Sequence, residues 1–225
     1  MSETWIEEKE WGKLKEKLPK KFTWKVQRGR EMLIGVKEDI KKETRGEEEE
    51  EGRIICNIRI ENESWRIISI YVNGDIDKKL EDLKGRMEKE EEEVKTLIGG
   101  NFKERTGEKA GWTREEELEE KRKGRRSKDK KINGEGRMLI DCIESKGWSI
   151  LNKSVKEYEE EEFTYIGEKR ETVIDYIIEW KVRERIERLE IGGKVASDHY
   201  PVIAWLKGKV REEARRKEKG KTIRG

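Results

Sequence analysis

Apolar and polar residues alternate along several short stretches of the chain, and this alternation is typical of β-strands. In the first half of the chain we expect strands at FTWKVQ (22–27), MLIGVKEDI (32–40), RIICNIRI (53–60), WRIISIYV (65–72) and TLIGG (96–100). The third and fourth of these form a predicted hairpin across the polar linker ENES. Five more candidates follow in the second half: WSILN, EFTYI, ETVIDYIIEW, RLEIG and YPVIAWL.

Helical spacing separates these strands. Apolar residues three and four positions apart predict amphipathic helices over 5–18, closed by Pro19, and over 75–96. A third helix is predicted over 135–147, with Gly147 at its end. Because helices fall between strands and strands outnumber them, the pattern favours a mixed α/β sandwich over a doubly wound parallel sheet.

The composition is unusually polar. Only 32% of the 225 residues are hydrophobic and 47% are charged, which approaches the composition of disordered chains. The apolar residues are nevertheless clustered and periodic, and the chain contains eight tryptophans. We therefore expect a folded protein with a highly charged surface, of a length that fits one large domain or two small ones.

Charge is segregated along the chain although the net charge is only +2, which gives no overall field for nucleic acid. Residues 47–51 and 88–93 are acidic, whereas 121–131 and 209–221 are largely basic. Such runs form solvated loops and helix faces, or the basic ones contact phosphates; both interpretations stay open.

The compartment is suggested by what the sequence lacks. Cys56 and Cys142 are the only cysteines, and both lie in apolar stretches, so we expect two buried free thiols in a reducing environment. The first residues carry no signal-peptide core, and no stretch approaches the roughly 20 apolar residues of a membrane span. We expect a soluble intracellular protein, nuclear or cytoplasmic, with no membrane partner.

Two polar positions stand out against apolar surroundings. His199 is the only histidine, and with Asp198 it precedes the apolar stretch 200–206, where an aspartate can bind a divalent metal or orient the imidazole. Asp175 lies inside VIDYII, where a carboxylate is costly unless it has a partner. Either His199 is structural and Asp175 is exposed, or Asp175 accepts a hydrogen bond from His199 and keeps it charged.

Six short motifs follow one another along the chain: SETW (2–5), YVNG (71–74), GGNFKERTG (99–107), FTY (163–165), VIDYII (173–178) and SDHYPV (197–202). Together they resemble the endonuclease/exonuclease/phosphatase superfamily, the DNase-I-like fold that includes apurinic/apyrimidinic endonucleases. Within it, the chain is similar to the endonuclease domain of non-LTR retrotransposon endonuclease–reverse transcriptase polyproteins. The resemblance covers 1–207 and leaves 208–225 as a charged tail or linker. It implies a layered α/β sandwich with two mixed β-sheets flanked by helices.

The resemblance also implies a site. Glu3 matches the family's metal-binding glutamate and Asp198 its second metal-region carboxylate, so both become candidate Mg²⁺ ligands; alternatively, Glu3 is a disordered terminal residue. Tyr71 matches the tyrosine that hydrogen-bonds the scissile phosphate, although YVNG leaves the accompanying asparagine in doubt. His199 matches the histidine that contacts the phosphate, and Asp175 the aspartate that orients it.

The reaction implied is Mg²⁺-dependent hydrolysis of a phosphodiester, with DNA as the ancestral substrate. The metal neutralises phosphate charge while an aspartate deprotonates the attacking water, and histidine and tyrosine donors stabilise the developing negative charge. In the parent protein of such a domain, a reverse transcriptase domain would follow on the C-terminal side.

The chain departs from the family at the water-activating strand end. The retrotransposon branch reads Gly-Asp-Phe-Asn-Ala-Arg-Thr-Gly, whereas residues 100–107 place Asn101 at the aspartate and Lys103 at the asparagine. A neutral amide cannot take a proton from water, and losing a general base removes on the order of 10²–10⁴ in rate. Lys103 adds a cation that either repels a metal or binds phosphate itself. Glu104 is out of register as a substitute base.

A second departure lies at the start, where the family has an asparagine-bearing strand. The expected fold therefore lacks its first strand, which leaves a neighbouring strand with unpaired backbone groups. Three hypotheses follow: a Mg²⁺-dependent endonuclease that nicks DNA, a non-catalytic remnant that binds nucleic acid through 121–131, or an unrelated charged α/β protein. Asn101, Lys103 and the missing strand favour the remnant.

Overall fold

A computed structural model describes residues 16, 18–27, 32–43, 49–50, 52–87, 94–109, 127–152, 163–193 and 197–207. In the first half, the strands are β1 (Phe22–Gln27), β2 (Met32–Lys37), β3 (Lys41–Glu43), β4 (Glu49–Glu50), β5 (Arg53–Ile60), β6 (Glu63–Tyr71) and β7 (Lys95–Asn101). In the second half, they are β8 (Ser149–Ile150), β9 (Tyr165–Ile166), β10 (Glu171–Thr172), β11 (Asp175–Trp180), β12 (Ile186–Ile191) and β13 (Val202–Leu206). The helices are α1 (Ile76–Met87) and α2 (Gly134–Ser145).

One mixed sheet of seven strands forms the centre, in the order β3-β5-β6-β7-β11-β8, with β4 also paired to β5. The β6–β7 pair is parallel, because α1 returns the chain to the same end of the sheet, and the remaining pairs are antiparallel. Two-stranded sheets β1–β2, β9–β10 and β12–β13 complete the described strands. The predicted layered α/β fold is confirmed; of the described sheets, the seven-stranded one is mixed and the other three are antiparallel pairs.

Alternation of side chains along the central strands builds three layers. On one face Ile55, Ile68, Ile98 and Ile178 pack against apolar residues of α1 and α2. On the other face, their chain neighbours pack against β2 and the β12–β13 hairpin; these are Cys56, Ile67, Leu97 and Ile177. Because successive residues point to opposite faces of a sheet, the period of two in the sequence becomes helices on one side and hairpins on the other.

Element ends differ from the sequence predictions where turns intervene. The strand expected over 32–40 ends at Lys37, and Ile40 N–H then donates to the Lys37 carbonyl at 2.9 Å. The helix expected over 75–96 is described only to Met87, and β7 begins at Lys95. At α2, Asn133 caps the start by accepting a hydrogen bond from the Gly136 N–H. Gly147, at φ 64°, follows the last turn as predicted.

Several predictions lie outside the described residues. They concern Glu3, most of the helix over 5–18, residues 88–93 and 121–126, and the tail 208–225. Both cysteines are buried free thiols, as expected, and burial raises the pKa of Cys142. Within the described ranges, no helix has the length and apolar character needed to cross a bilayer.

Candidate functional site

Three strand ends form a row across the central sheet. Asn101, the last residue of β7, lies beside Tyr71 at the end of β6 and beside Asp175 at the start of β11. Adjacent strands lie about 4.8 Å apart, so the Cα atoms of Tyr71 and Asp175 are about 10 Å apart. Val72, Phe102 and Tyr176, the next residues along the chain, pack on the helix side, so the three row residues point to the opposite face. The sequence motifs YVNG, GGNFKERTG and VIDYII thus meet at one edge.

Gly100 allows this row to form. A Cβ atom at this position would lie 1.8 Å from the carbonyl oxygen of Ile70 on β6. Only a residue without a side chain permits β6 and β7 to pair so closely here. Gly100, at the end of the apolar run 96–100, is therefore a requirement of the sheet at the site.

Asp175 and His199 are in direct contact. The Nδ1 atom of His199 lies 2.9 Å from Oδ2 of Asp175, and both residues are buried, with 9% and 7% of their surface exposed. The Asp175 side chain therefore has the partner that its apolar surroundings require, and the exposed alternative is excluded. A carboxylate bonded to Nδ1 fixes the orientation of the imidazole.

The segment that carries His199 is fixed by β9. Ile166 N–H donates to the Asp198 carbonyl at 2.9 Å, and Tyr200 N–H donates to the Thr164 carbonyl at 2.8 Å. The imidazole also meets the Tyr165 ring edge-on at a centroid distance of 4.9 Å. The FTY motif therefore positions the histidine from both backbone and ring.

Two further residues hold the Asp175 strand, and sequence reasoning gave neither a role. The fully buried Thr164 hydroxyl accepts hydrogen bonds from the N–H groups of Ile174 and Asp175, both at 3.0 Å. Asn152 donates to the Asp175 carbonyl at 3.0 Å and accepts from the Ile177 N–H at 2.9 Å. A polar residue that ends an apolar strand, as in WSILN, was the available signal for Asn152.

Asn101 keeps the turn but supplies no carboxylate. Its side chain is fully buried, and its Oδ1 atom accepts the Lys103 N–H at 2.8 Å. An aspartate could accept the same hydrogen bond, so the turn alone does not require a charge. The amide leaves the centre of the row neutral.

Lys103 brings an ammonium group to the Tyr71 end of the row. The residue is exposed and adopts φ 58°, and its Nζ atom lies 4.6 Å from the centroid of the Tyr71 ring. A cation at this distance from an aromatic face is attracted by the ring. The row therefore has an ammonium at one end and the His199 imidazole at the other.

Glu104 is turned away from the row. Its carboxylate accepts a hydrogen bond from Asn133 Nδ2, at the start of α2. Burial raises the pKa of Glu104, and the hydrogen bond from Asn133 opposes that rise. Its contacts show that it is occupied elsewhere and does not replace a base at position 101.

The described residues do not fit a magnesium centre. Mg²⁺ requires several oxygen ligands arranged around one point. In the part of the chain that the structure describes, no group of three or more His, Cys, Asp or Glu residues could hold a metal ion. Asp198 is exposed, and Glu3 lies outside the described ranges. Lys103 adds a positive charge at the row, which opposes a second cation.

Two exposed cations lie over the aromatic rings of the FTY motif. Lys128 Nζ lies 5.2 Å from the Phe163 centroid, and the Arg170 guanidinium lies 5.9 Å from the Tyr165 centroid. Both cations are exposed. The described part of the basic run 121–131 therefore lies beside the FTY motif.

Asp129 anchors that basic segment. It is 3% exposed and pairs with Arg105, whose Nε lies 2.8 Å from Oδ2. It also accepts the N–H groups of Val173 and Lys131, each at 3.2 Å. The hydrogen bonds to Asp129 raise the pKa of Arg105. The basic loop is thus tied to the residues that lead into β11.

Asn73, the asparagine of YVNG, lies apart from the row. It lines a cavity of about 260 Å³ together with Arg53, Lys78 and Asp82. Ile70, which packs on the helix side, lines the same cavity, so this space opens near α1. The structure therefore does not bring Asn73 to Tyr71, Asn101 and Asp175.

Solved structures share this fold. The endonuclease domain of TRAS1, a telomere-specific non-LTR retrotransposon, has a TM-score of 0.60 and 15% identity, covering 84% of this chain and 80% of that one. D. rerio TDP2, complexed with single-strand DNA product, has a TM-score of 0.58 and 9% identity, over 88% and 82% of the two chains. The 3′ phosphatase NExo from Neisseria, bound to a product DNA hairpin, has a TM-score of 0.55 and 16% identity, over 91% and 86%.

These likenesses establish the fold. The chain has the DNase-I-like fold that its motifs predicted, over most of its length. No protein-family model and no curated protein matches the sequence. With identities this low, the function has to be argued from the residues of the row.

Proposed function

We propose that this chain is a retrotransposon-derived, DNase-I-like protein that binds DNA at the Tyr71–Asn101–Asp175 row and has little or no ability to cut it. The observation that carries the proposal is Asn101, a buried neutral amide where the resemblance places the water-activating aspartate. The neighbouring strand ends that carry Tyr71 and Asp175 are present beside it, while Asn101 and Lys103 differ from the family pattern.

Hydrolysis of a phosphodiester needs a proton acceptor next to the attacking water. Asn101 cannot serve, and its Oδ1 atom is bonded to the Lys103 N–H. Glu104 is bonded to Asn133, and Asp175 is bonded to His199. Loss of a general base lowers the rate by on the order of 10²–10⁴, which supports weak or absent turnover.

Binding depends on cations and hydrogen-bond donors that the chain has near the row. Phosphate contacts by cations and hydrogen-bond donors supply most of the affinity of proteins for DNA and need no base at the reaction centre. Lys103 is an exposed cation over Tyr71, and Arg170 is an exposed cation over Tyr165, the ring that contacts His199. Asp175 holds His199 in place. Two of the structural neighbours were solved with product DNA, which further supports DNA as the ligand.

The second candidate function is residual DNA nicking. It is favoured by the Asp175–His199 contact at 2.9 Å, an arrangement that stabilises charge on a transferring phosphoryl group. A binding module alone would not require this buried pair. The two candidates therefore differ in whether position 101 limits the reaction.

A plasmid-nicking assay with Mg²⁺ separates them. The unmodified chain is compared with Asn101→Asp/Lys103→Asn and with His199→Ala, and DNA binding is measured on the same samples. We expect the unmodified chain to bind plasmid without nicking it, and nicking to increase in the double variant. Nicking by the unmodified chain that disappears in His199→Ala, or the absence of DNA binding, would overturn the proposal.

A further inference from the structure

Lys103 places a fixed cation where the resemblance implies a metal-assisted centre. We propose that the Lys103 ammonium binds a DNA phosphate directly, so that the chain binds DNA without a divalent metal. This inference rests on the proposed DNA binding and adds the cation that neutralises the phosphate. It follows from the Lys103 ammonium, which lies over the Tyr71 ring, and from the neutral amide of Asn101 beside it.

Two contacts define the position of the ammonium, one through the backbone of Lys103 and one through its Nζ atom. The Lys103 N–H is bonded to Asn101 Oδ1 at 2.8 Å, and the residue adopts φ 58°. At the other end, Nζ lies 4.6 Å from the Tyr71 centroid. A lysine side chain that already lies over a ring has fewer conformations in the unbound protein. It therefore loses less conformational entropy when it binds a phosphate.

The spacing of the row suits a phosphate group. Tyr71 and Asp175 lie two strands apart, about 10 Å between Cα atoms. Charge-assisted hydrogen bonds to phosphate oxygens are about 2.7–2.9 Å long. A phosphate over Asn101 can therefore meet the ammonium on the Tyr71 side and the His199 imidazole on the Asp175 side.

The charges at the row favour an anion over a cation. Relative to the family motif, Asn101 removes a negative charge and Lys103 adds a positive one. The nearby carboxylate of Asp175 is bonded to His199. A divalent cation would be repelled by the ammonium, whereas a phosphate is attracted to it.

The test measures binding of a short fluorescein-labelled DNA duplex by fluorescence anisotropy, over a range of salt concentrations, in EDTA and in Mg²⁺. The unmodified chain is compared with Lys103→Met, which keeps an apolar stem against Tyr71, and with Lys103→Asn, whose residue type is well suited to a positive φ. Lys20→Met is the matched control, because Lys20 is exposed and lies far from the row. It precedes the first residue of β1, whereas the last residue of β1, Gln27, is bonded to Gly52, the neighbour of Tyr71.

We expect the unmodified chain to bind in EDTA at least as tightly as in Mg²⁺. Both Lys103 variants should bind more weakly in EDTA, with the slope of log affinity against log salt reduced by about 1. Lys20→Met should keep the slope of the unmodified chain. Binding that requires Mg²⁺, or equal slopes for the Lys103 variants and the unmodified chain, would overturn this inference and leave the DNA binding standing. Absence of binding in both buffers would overturn the proposed function itself.

Discussion

Asp129 links the basic loop to the start of β11, and Asp129→Ala should destabilise the protein strongly. The substitution removes the acceptor for the Arg105 guanidinium and for the N–H groups of Val173 and Lys131. Breaking a buried ion pair costs about 3–5 kcal/mol. The Arg105 side chain is 26% exposed and can be solvated after the substitution, so the loss of the ion pair costs less than this. The buried Val173 N–H loses its carboxylate acceptor, which costs about 1–3 kcal/mol.

Together these effects give a loss of about 3 kcal/mol in the free energy of unfolding. For a chain of this size each kcal/mol lowers Tm by about 2–4 °C, so the expected fall is about 6–12 °C. Thermal and urea unfolding followed by circular dichroism measure it. Asp141→Ala is the matched control, because Asp141 is exposed on α2. If Asp129→Ala lowers stability by no more than this control, Asp129 does not anchor the basic loop.

Three more substitutions test the site. Gly100→Ala should destabilise the protein by about 1–3 kcal/mol or more in urea unfolding, since its Cβ would collide with the Ile70 carbonyl. Thr164→Val should cost about 1–3 kcal/mol and weaken DNA binding, because Asp175 N–H loses its acceptor, whereas Thr164→Ser should preserve both. Burial raises the pKa of Glu104, so its contribution to stability is present at acid pH and lost as the pH rises through that pKa. Glu104→Gln should therefore raise Tm at neutral pH, and the Tm of the variant and of the unmodified chain should become equal in acid. An equal rise in Tm at every pH would show that burial of the Glu104 carboxylate does not cause the difference.

The sequence predicted the parts of the site that are marked by local contrast. A carboxylate inside VIDYII needed a partner, and the only histidine, His199, is that partner at 2.9 Å. The strands over 53–60 and 65–72 were predicted because their side chains alternate between two layers, and their bounds in the structure differ by two residues or fewer. A local sequence pattern is sufficient to predict a contact where a buried polar residue requires a partner.

Other features depend on contacts far apart in sequence. The apolar run 171–180 was predicted as one strand, but Thr164 captures the N–H groups of Ile174 and Asp175, and the run divides into β10 and β11. The role of Asn152 likewise depends on β11, 23 residues away at Asp175. Such hydrogen bonds satisfy buried backbone groups across the fold, and no periodicity in the sequence records them.

Binding and cutting of DNA by the unmodified chain can be measured on the same samples. Supercoiled plasmid is incubated with the unmodified chain and Mg²⁺, and each sample is divided between a native gel and a gel run after removal of the protein. We predict retarded plasmid on the native gel and fully supercoiled plasmid on the second. Plasmid that migrates freely on the first gel would show that the chain does not bind DNA, and relaxed plasmid on the second would show that it cuts DNA.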